Sequence, residues 1–105
     1  MSTNGKGIWV SYDFGLKGDY TGLYTWLDNH NAVECGNGLA YCSYDTTKLE
    51  IMNSENLVKH ITKDLREHIK LSKTDRMYII WMDGESKRVR GEFISGFRKQ
   101  SPGKV

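Results

Sequence analysis

A single proline, two cysteines and the absence of any long apolar run set the first bounds on this 105-residue chain. A helix that spans a bilayer needs ~20 consecutive apolar residues. The longest apolar stretch here, Met77 to Met82, stops far short of that. Scarce proline, with 38% hydrophobic and 27% charged residues, marks an ordered chain rather than a disordered one. The polar opening Met-Ser-Thr-Asn-Gly-Lys-Gly has no apolar signal core behind it, so a cytoplasmic location without membrane contact is expected. The length suits one domain with one core, spanning 1–105, with residues 1–6 and 100–105 as loose tails.

The two cysteines, Cys35 and Cys42, flank Gly36-Asn37-Gly38. In a tight hairpin centred on Asn37-Gly38, Cys35 would pair with Ala40 and lie diagonal to Cys42. Diagonal neighbours sit ~7–8 Å apart, too far for an unstrained disulfide. Two reduced, partly buried thiols are therefore expected. Neither a CxxC pair nor a histidine at ligand spacing accompanies them, which argues against zinc.

Charge is nearly balanced at +2, but unevenly distributed. Residues 1–52 hold three lysines against six carboxylates, and residues 53–105 hold twelve Lys/Arg against seven. Two readings are open: a basic face that meets phosphate or an acidic partner, or an ordinary solvated helix face with a charged tail.

The chain opens with an apolar strand, Gly7 to Phe14, in which Ile8, Val10 and Tyr12 share one face and Trp9, Ser11 and Asp13 the other. Asp19 is a good N-cap for a helix from Tyr20 to about His30, with Tyr20, Leu23, Tyr24 and Leu27 as its apolar stripe. A hairpin follows: Ala32 to Cys35, the Gly-Asn-Gly turn, and Leu39 to Tyr44. Asn53 or Ser54 can cap a second helix from about Glu55 to Ile69, striped by Leu57, Val58, Ile61, Leu65 and Ile69. Arg76 to Met82 reads as a central strand covered on both faces or nearly so. Lys87 to Phe93 alternates Val89, Gly91 and Phe93 against Arg88, Arg90 and Glu92, an edge strand with one basic face. The order strand–helix–strand–strand–helix–strand, plus one more strand, predicts an α+β fold of the ferredoxin-like, split βαβ kind. Its antiparallel sheet would carry both helices on one face, with the first strand beside the one after the second helix.

Val10-Ser11-Tyr12-Asp13, the glycine-rich stretch to Asp19, and Asp19-Tyr20-Thr21-Gly22-Leu23-Tyr24 resemble the opening of the SinR-like family. These small proteins share a fold with the dimeric second subunit of the CRISPR spacer-acquisition complex and with VapD-type toxins. The resemblance covers residues 1–25 by motif and residues 55–83 by pattern, a capped helix followed by Thr74-Asp75-Arg76 and an apolar strand. It implies a ferredoxin-like homodimer whose last strand, here Lys87 to Phe93, pairs with the partner. It also implies an aspartate at the end of the first strand near the dimer axis, linked in the relatives to a divalent metal and phosphodiester cleavage. Asp13 matches that position. The glycine-rich loop after Asp13 and the Gly36-Asn37-Gly38 hairpin depart from the pattern.

Two roles are thus open to Asp13. One is ligation of magnesium, which prefers oxygen donors and phosphate, by one carboxylate from each protomer. The other is a turn role, accepting N–H groups from Gly15 or Leu16. His30, His60 and His68 are the proton-transfer candidates near neutral pH. Asp64 and His68, four residues apart, suit a local helix contact, and no Ser-His-Asp or Cys-His order stands out. The glycines at 15, 18 and 22 lack the Lys-Ser/Thr of a phosphate loop. The nucleic-acid candidates are Lys59, Lys63, Arg66 and Lys70 on the second helix, with Lys87, Arg88, Arg90, Arg98 and Lys99 near the last strand. Trp9, Trp26, Tyr41 and Tyr44 could stack on bases wherever they are exposed.

Three functional expectations follow. The first is a dimer that binds RNA, DNA or a protein partner in a prokaryotic defence, toxin–antitoxin or mobile-element setting. The second is a magnesium-dependent ribonuclease built on Asp13 from each protomer, and the third a protein-interaction module that works through its edge strand.

Overall fold

The structure is a computed structural model that describes residues 5–97. Its elements are β1 (Gly5–Asp13), α1 (Tyr20–Asn29), β2 (Val33–Gly36), β3 (Leu39–Asp45), α2 (Ser54–His68), β4 (Arg76–Met82) and β5 (Val89–Ser95). The sheet runs β2-β3-β1-β4-β5 with every neighbouring pair antiparallel. This α+β layout is compatible with a ferredoxin-like arrangement, although β5 outside β4 makes the five-strand order differ from the standard one. β1 lies beside β4, in register from Ile8–Trp81 to Asp13–Arg76.

Alternation along the strands divides the sheet into two faces. Ile8, Val10 and Tyr12 of β1, Ala40, Cys42 and Tyr44 of β3, and Met77, Ile79 and Trp81 of β4 are buried in one cluster. Leu23, Trp26 and Leu27 of α1 and Leu57, Ile61 and Leu65 of α2 complete it. Both helices therefore cover the same face. The other face carries Trp9, Tyr41, Tyr78, Ile80 and Phe93, and no described element lies over it. The expectation that β4 is covered on both sides is corrected accordingly: Tyr78 and Ile80 are half-buried only by their neighbours within the sheet.

Both helices begin on side-chain caps. Asn53 accepts from the Asn56 N–H at 2.8 Å, so Asn53 rather than Ser54 caps α2. Asp19 caps α1 by accepting from the Gly22 N–H at 2.9 Å. The α1 stripe is rotated from the expected one. Trp26 is buried, whereas Tyr20 and Tyr24 stay 40% and 46% exposed, because Tyr20 reaches back to donate to the Phe14 carbonyl and Trp26 turns its indole toward α2.

Three boundaries also differ. Gly5 and Lys6 pair with Asp45 and Tyr44, so they belong to β1 and not to a tail; residues 1–4 and 100–105 lie outside the described residues. In the β2–β3 hairpin Glu34, not Cys35, faces Ala40, and Gly36 faces Leu39, which leaves Cys35 in a bulge. Gly38, at φ 74°, supplies the left-handed turn conformation that a side chain disfavours. Both thiols are free, but Cys35 is exposed and Cys42 buried; burial pushes the Cys42 thiol up to about 11. Finally, β5 begins at Val89, since Lys87 (φ 60°) and Arg88 belong to the turn closed by Asp83.

Candidate functional site

Asp13 ends β1 on the uncovered face, half-exposed, and its carboxylate is paired with Arg76 directly across the strand pair. The Gly15 N–H, one of the partners expected for Asp13, goes instead to Asp75 at 3.1 Å. Asp75 is buried and closes its own loop by accepting from Ser72. Two clefts flank Asp13. One, of about 470 Å³, runs along the helix side past Tyr12, Tyr24 and Glu34. The other, of about 530 Å³, runs across the uncovered face past Tyr78, Ile80 and Phe93. Glu34 accepts from the Tyr12 hydroxyl at 2.6 Å. Burial, then that bond, pushes the Tyr12 phenol well above its ordinary range.

The residues of one chain do not fit a magnesium ion at Asp13. Its carboxylate is engaged by a guanidinium, and among the described residues no group of three or more His, Cys, Asp or Glu side chains is gathered to hold a metal. Such a site would need a second chain to complete it.

The basic candidates divide into separate places. Lys59 pairs with Glu55 one turn away at 3.5 Å, both side chains largely exposed, and Lys63 is exposed on the same side of α2. Arg66 donates to the Ile94 carbonyl at 2.7 Å, satisfying a backbone group at the bulge of β5. Lys70 follows α2, its backbone N–H bound by Asp19. Lys87 and Arg88 sit in the β4–β5 turn. Arg90 lies on the helix side of β5 with its guanidinium 5.5 Å from the Trp81 ring centre. The expected basic face of β5 is thus turned toward the covered side, and it is the apolar set Val89, Gly91 and Phe93 that shares the uncovered face. Arg98 and Lys99 lie outside the described residues.

Of the aromatic candidates, Trp26 and Tyr44 are core residues, while Trp9 and Tyr41 are each 39% exposed on the uncovered face. They are cross-strand partners with ring centres 4.9 Å apart. Glycines let these rings lie low. A Cβ at Gly7 would meet the Tyr41 hydroxyl at 2.7 Å, and one at Gly91 would meet the Tyr78 hydroxyl and, at 2.5–2.6 Å, its ring. Phe93 packs edge-on against Tyr78, centres 4.7 Å apart. The result is a broad apolar surface across β3, β1, β4 and β5.

The densest polar constellation is one the sequence reading did not assemble. Asp64 of α2 accepts from Trp26 Nε1 at 2.9 Å and from the Tyr44 hydroxyl at 3.3 Å, with His30 Nε2 at 3.1 Å. His68 Nδ1 contacts the Asp64 carbonyl at 2.8 Å and its carboxylate at 3.4 Å. Tyr44 also meets His60 Nδ1 at 2.8 Å. All three histidines of the chain therefore gather around one Asp–Tyr pair that joins α1, β3 and α2. Burial, then the Asp64 charge, holds the Tyr44 phenol far above its ordinary range, so it stays a donor. The sequence held one thread of this, the Asp64–His68 spacing; His30 and Tyr44 reach the cluster only through tertiary packing.

Comparison of the chain with protein-family models, curated proteins and solved structures finds no match.

Proposed function

We propose that this protein is a ferredoxin-like, self-associating module that binds nucleic acid. Two copies pair through the uncovered faces of their sheets, and the paired unit offers the lysines of its outward-facing helices to the phosphate backbone. The observation that carries this reading is the apolar surface of Trp9, Tyr41, Tyr78, Ile80 and Phe93. Five strands ~4.8 Å apart and about seven residues long at ~3.3 Å each make a face of roughly 550 Å² before side chains roughen it. That approaches the ~800 Å² of accessible surface that each partner buries in a stable interface. It also lies at the upper end of the ~300–600 Å² of the largest patch on a typical monomer, which is often functional. The SinR-like resemblance of residues 10–24 supports the same dimeric reading and the prokaryotic defence or mobile-element setting that goes with it.

Solution mass tests the pairing, and nucleic-acid binding across a salt series tests the rest. The wild-type chain is expected to sediment as a dimer. Trp9→Glu or Ile80→Glu should yield a monomer that still unfolds cooperatively and whose melt no longer depends on protein concentration, since neither side chain belongs to the covered core. Binding of labelled RNA and DNA should weaken steeply with salt, and Lys59→Glu with Lys63→Glu should flatten that dependence. A wild-type monomer that binds neither polymer at low salt would overturn the proposal.

A second reading has one observation behind it: Asp13 lies on the same face through which the copies would pair. A magnesium-dependent ribonuclease would need Arg76 to release the carboxylate and the partner's chain to supply a second one. RNA cleavage that EDTA and Asp13→Ala both abolish would establish it.

A further inference from the structure

The loop between β3 and α2 and the adjoining turns of α2 enclose a depression of about 330 Å³, two of whose lysines, Lys59 and Lys63, also belong to the nucleic-acid contact proposed above. Lys48, Lys59 and Lys63 line it against one carboxylate, Glu50, so its wall carries a local excess of positive charge even with a neutral imidazole. His60 lines it as well, and Leu49 and Ile51 give it an apolar side. The loop is preformed. Thr47 N–H donates to Asp45, Leu49 N–H to the Thr46 carbonyl, and the Asn56 amide to the Ile51 carbonyl at 2.9 Å. Leu49 also packs against the core.

We infer that this depression binds a dianionic phosphate monoester, with the ammonium groups of Lys48 and Lys63 and the imidazole of His60 as its donors. His60 carries the specific part of the inference. Its Nδ1 meets the buried Tyr44 hydroxyl at 2.8 Å, closer than Asp64 at 3.3 Å. With the one Tyr44 hydroxyl proton given to Asp64, His60 Nδ1–H donates to the Tyr44 oxygen. Nε2 then donates to the phosphate as part of an imidazolium, the form that a bound dianion favours. Charge-assisted donors on a preformed wall suit phosphate, and the exposed Lys59–Glu55 pair is weak enough for Lys59 to turn toward it. Leu49 and Ile51 would hold the organic part of the ester, the sugar or base of a nucleotide. The choice of a nucleotide ester rests on the nucleic-acid reading above; the phosphate chemistry itself does not.

The test is a titration of the full chain with inorganic phosphate at constant ionic strength, followed through the ring signals of the three histidines by NMR. His60 is expected to shift saturably while His30 and His68 stay still. Lys48→Glu and Lys63→Glu, both at the surface, should each weaken the response roughly tenfold, as loss of a charged donor implies, without lowering the melting temperature. His60→Gln, followed through the backbone amides of residues 48–51, should weaken phosphate binding if it folds; the lysine variants decide the matter if it does not. Tighter binding of a 5′-phosphorylated oligonucleotide than of its unphosphorylated twin would name a nucleic-acid end as the source, and equal binding of a mononucleotide a free nucleotide. A uniform drift of all three histidines, or a His60 shift indifferent to Lys48 and Lys63, would overturn the site even if long nucleic acid binds elsewhere. Phosphate binding without any nucleic-acid binding would uphold the pocket and remove the reading that chose its ester.

Discussion

Ser54 shows how much one small side chain can connect. The residue is 8% exposed, and its hydroxyl accepts from Trp81 Nε1 at 2.8 Å and donates to Asp83, which in turn accepts from the Ser86 N–H at 2.9 Å. The start of α2, the end of β4 and the β4–β5 turn therefore meet at one oxygen. Ser54→Ala would leave the indole N–H buried without its acceptor, a loss of about 1–3 kcal/mol in denaturant unfolding. A loss below roughly half a kcal/mol would mean that the indole finds another acceptor at little cost.

At the scale of elements, the beginning of α1 and the end of α2 are locked together through Asp19 and Gly22. One Asp19 oxygen caps α1 at Gly22, and the other accepts from the Lys70 N–H at 2.9 Å. A Cβ on Gly22 would meet the Asp19 carboxylate at 2.4 Å and the His68 carbonyl at 2.7 Å. Intrinsic helix propensity favours alanine over glycine by about 1 kcal/mol. Gly22→Ala is nevertheless expected to lower the melting temperature, because the two helix ends must part. An unchanged or raised melting temperature would show that the contact yields freely. Gly22 serves here as a point of close helix approach.

At the scale of the molecule, the acidic first half and the basic second half do not separate into two faces. The sheet order inserts β1 between β3 and β4, and Asp13 of the acidic half pairs with Arg76 of the basic half. What the fold does with its carboxylates is visible in their acidity. Ser54 and Ser86 hold Asp83 down to about 2, the Lys70 and Gly22 N–H groups lower Asp19, and the Thr47 N–H lowers Asp45. Each of these groups is a stronger acid in the folded chain than the ~3.9 of a free aspartate. Their contribution to stability is therefore complete above about pH 4 and drains away as pH falls toward 2. Thermal melts taken between those values should fall progressively, and Asp83→Asn should flatten part of that fall. A melt already declining between pH 7 and 5 would show that groups other than these three carry the dependence.

The order of strands and helices, the apolar faces of β1, β3 and α2, and the capping residues could be read from the chain itself, because period-2 and period-3.6 patterns and Asn/Asp caps are local properties of the backbone. Trp26 in place of Tyr20 and Tyr24 was not legible, since which flank of α1 is buried depends on where α2 lies. Nor was the gathering of His30, His60 and His68 on Asp64 and Tyr44, five residues from three segments that only packing brings within hydrogen-bond reach. The uncovered sheet face was half legible, since the element order already put both helices on one side. A continuous apolar run such as Met77 to Met82, however, looks identical whether its second side meets a helix or stands bare, and only the tertiary structure decided that Tyr78 and Ile80 stand bare.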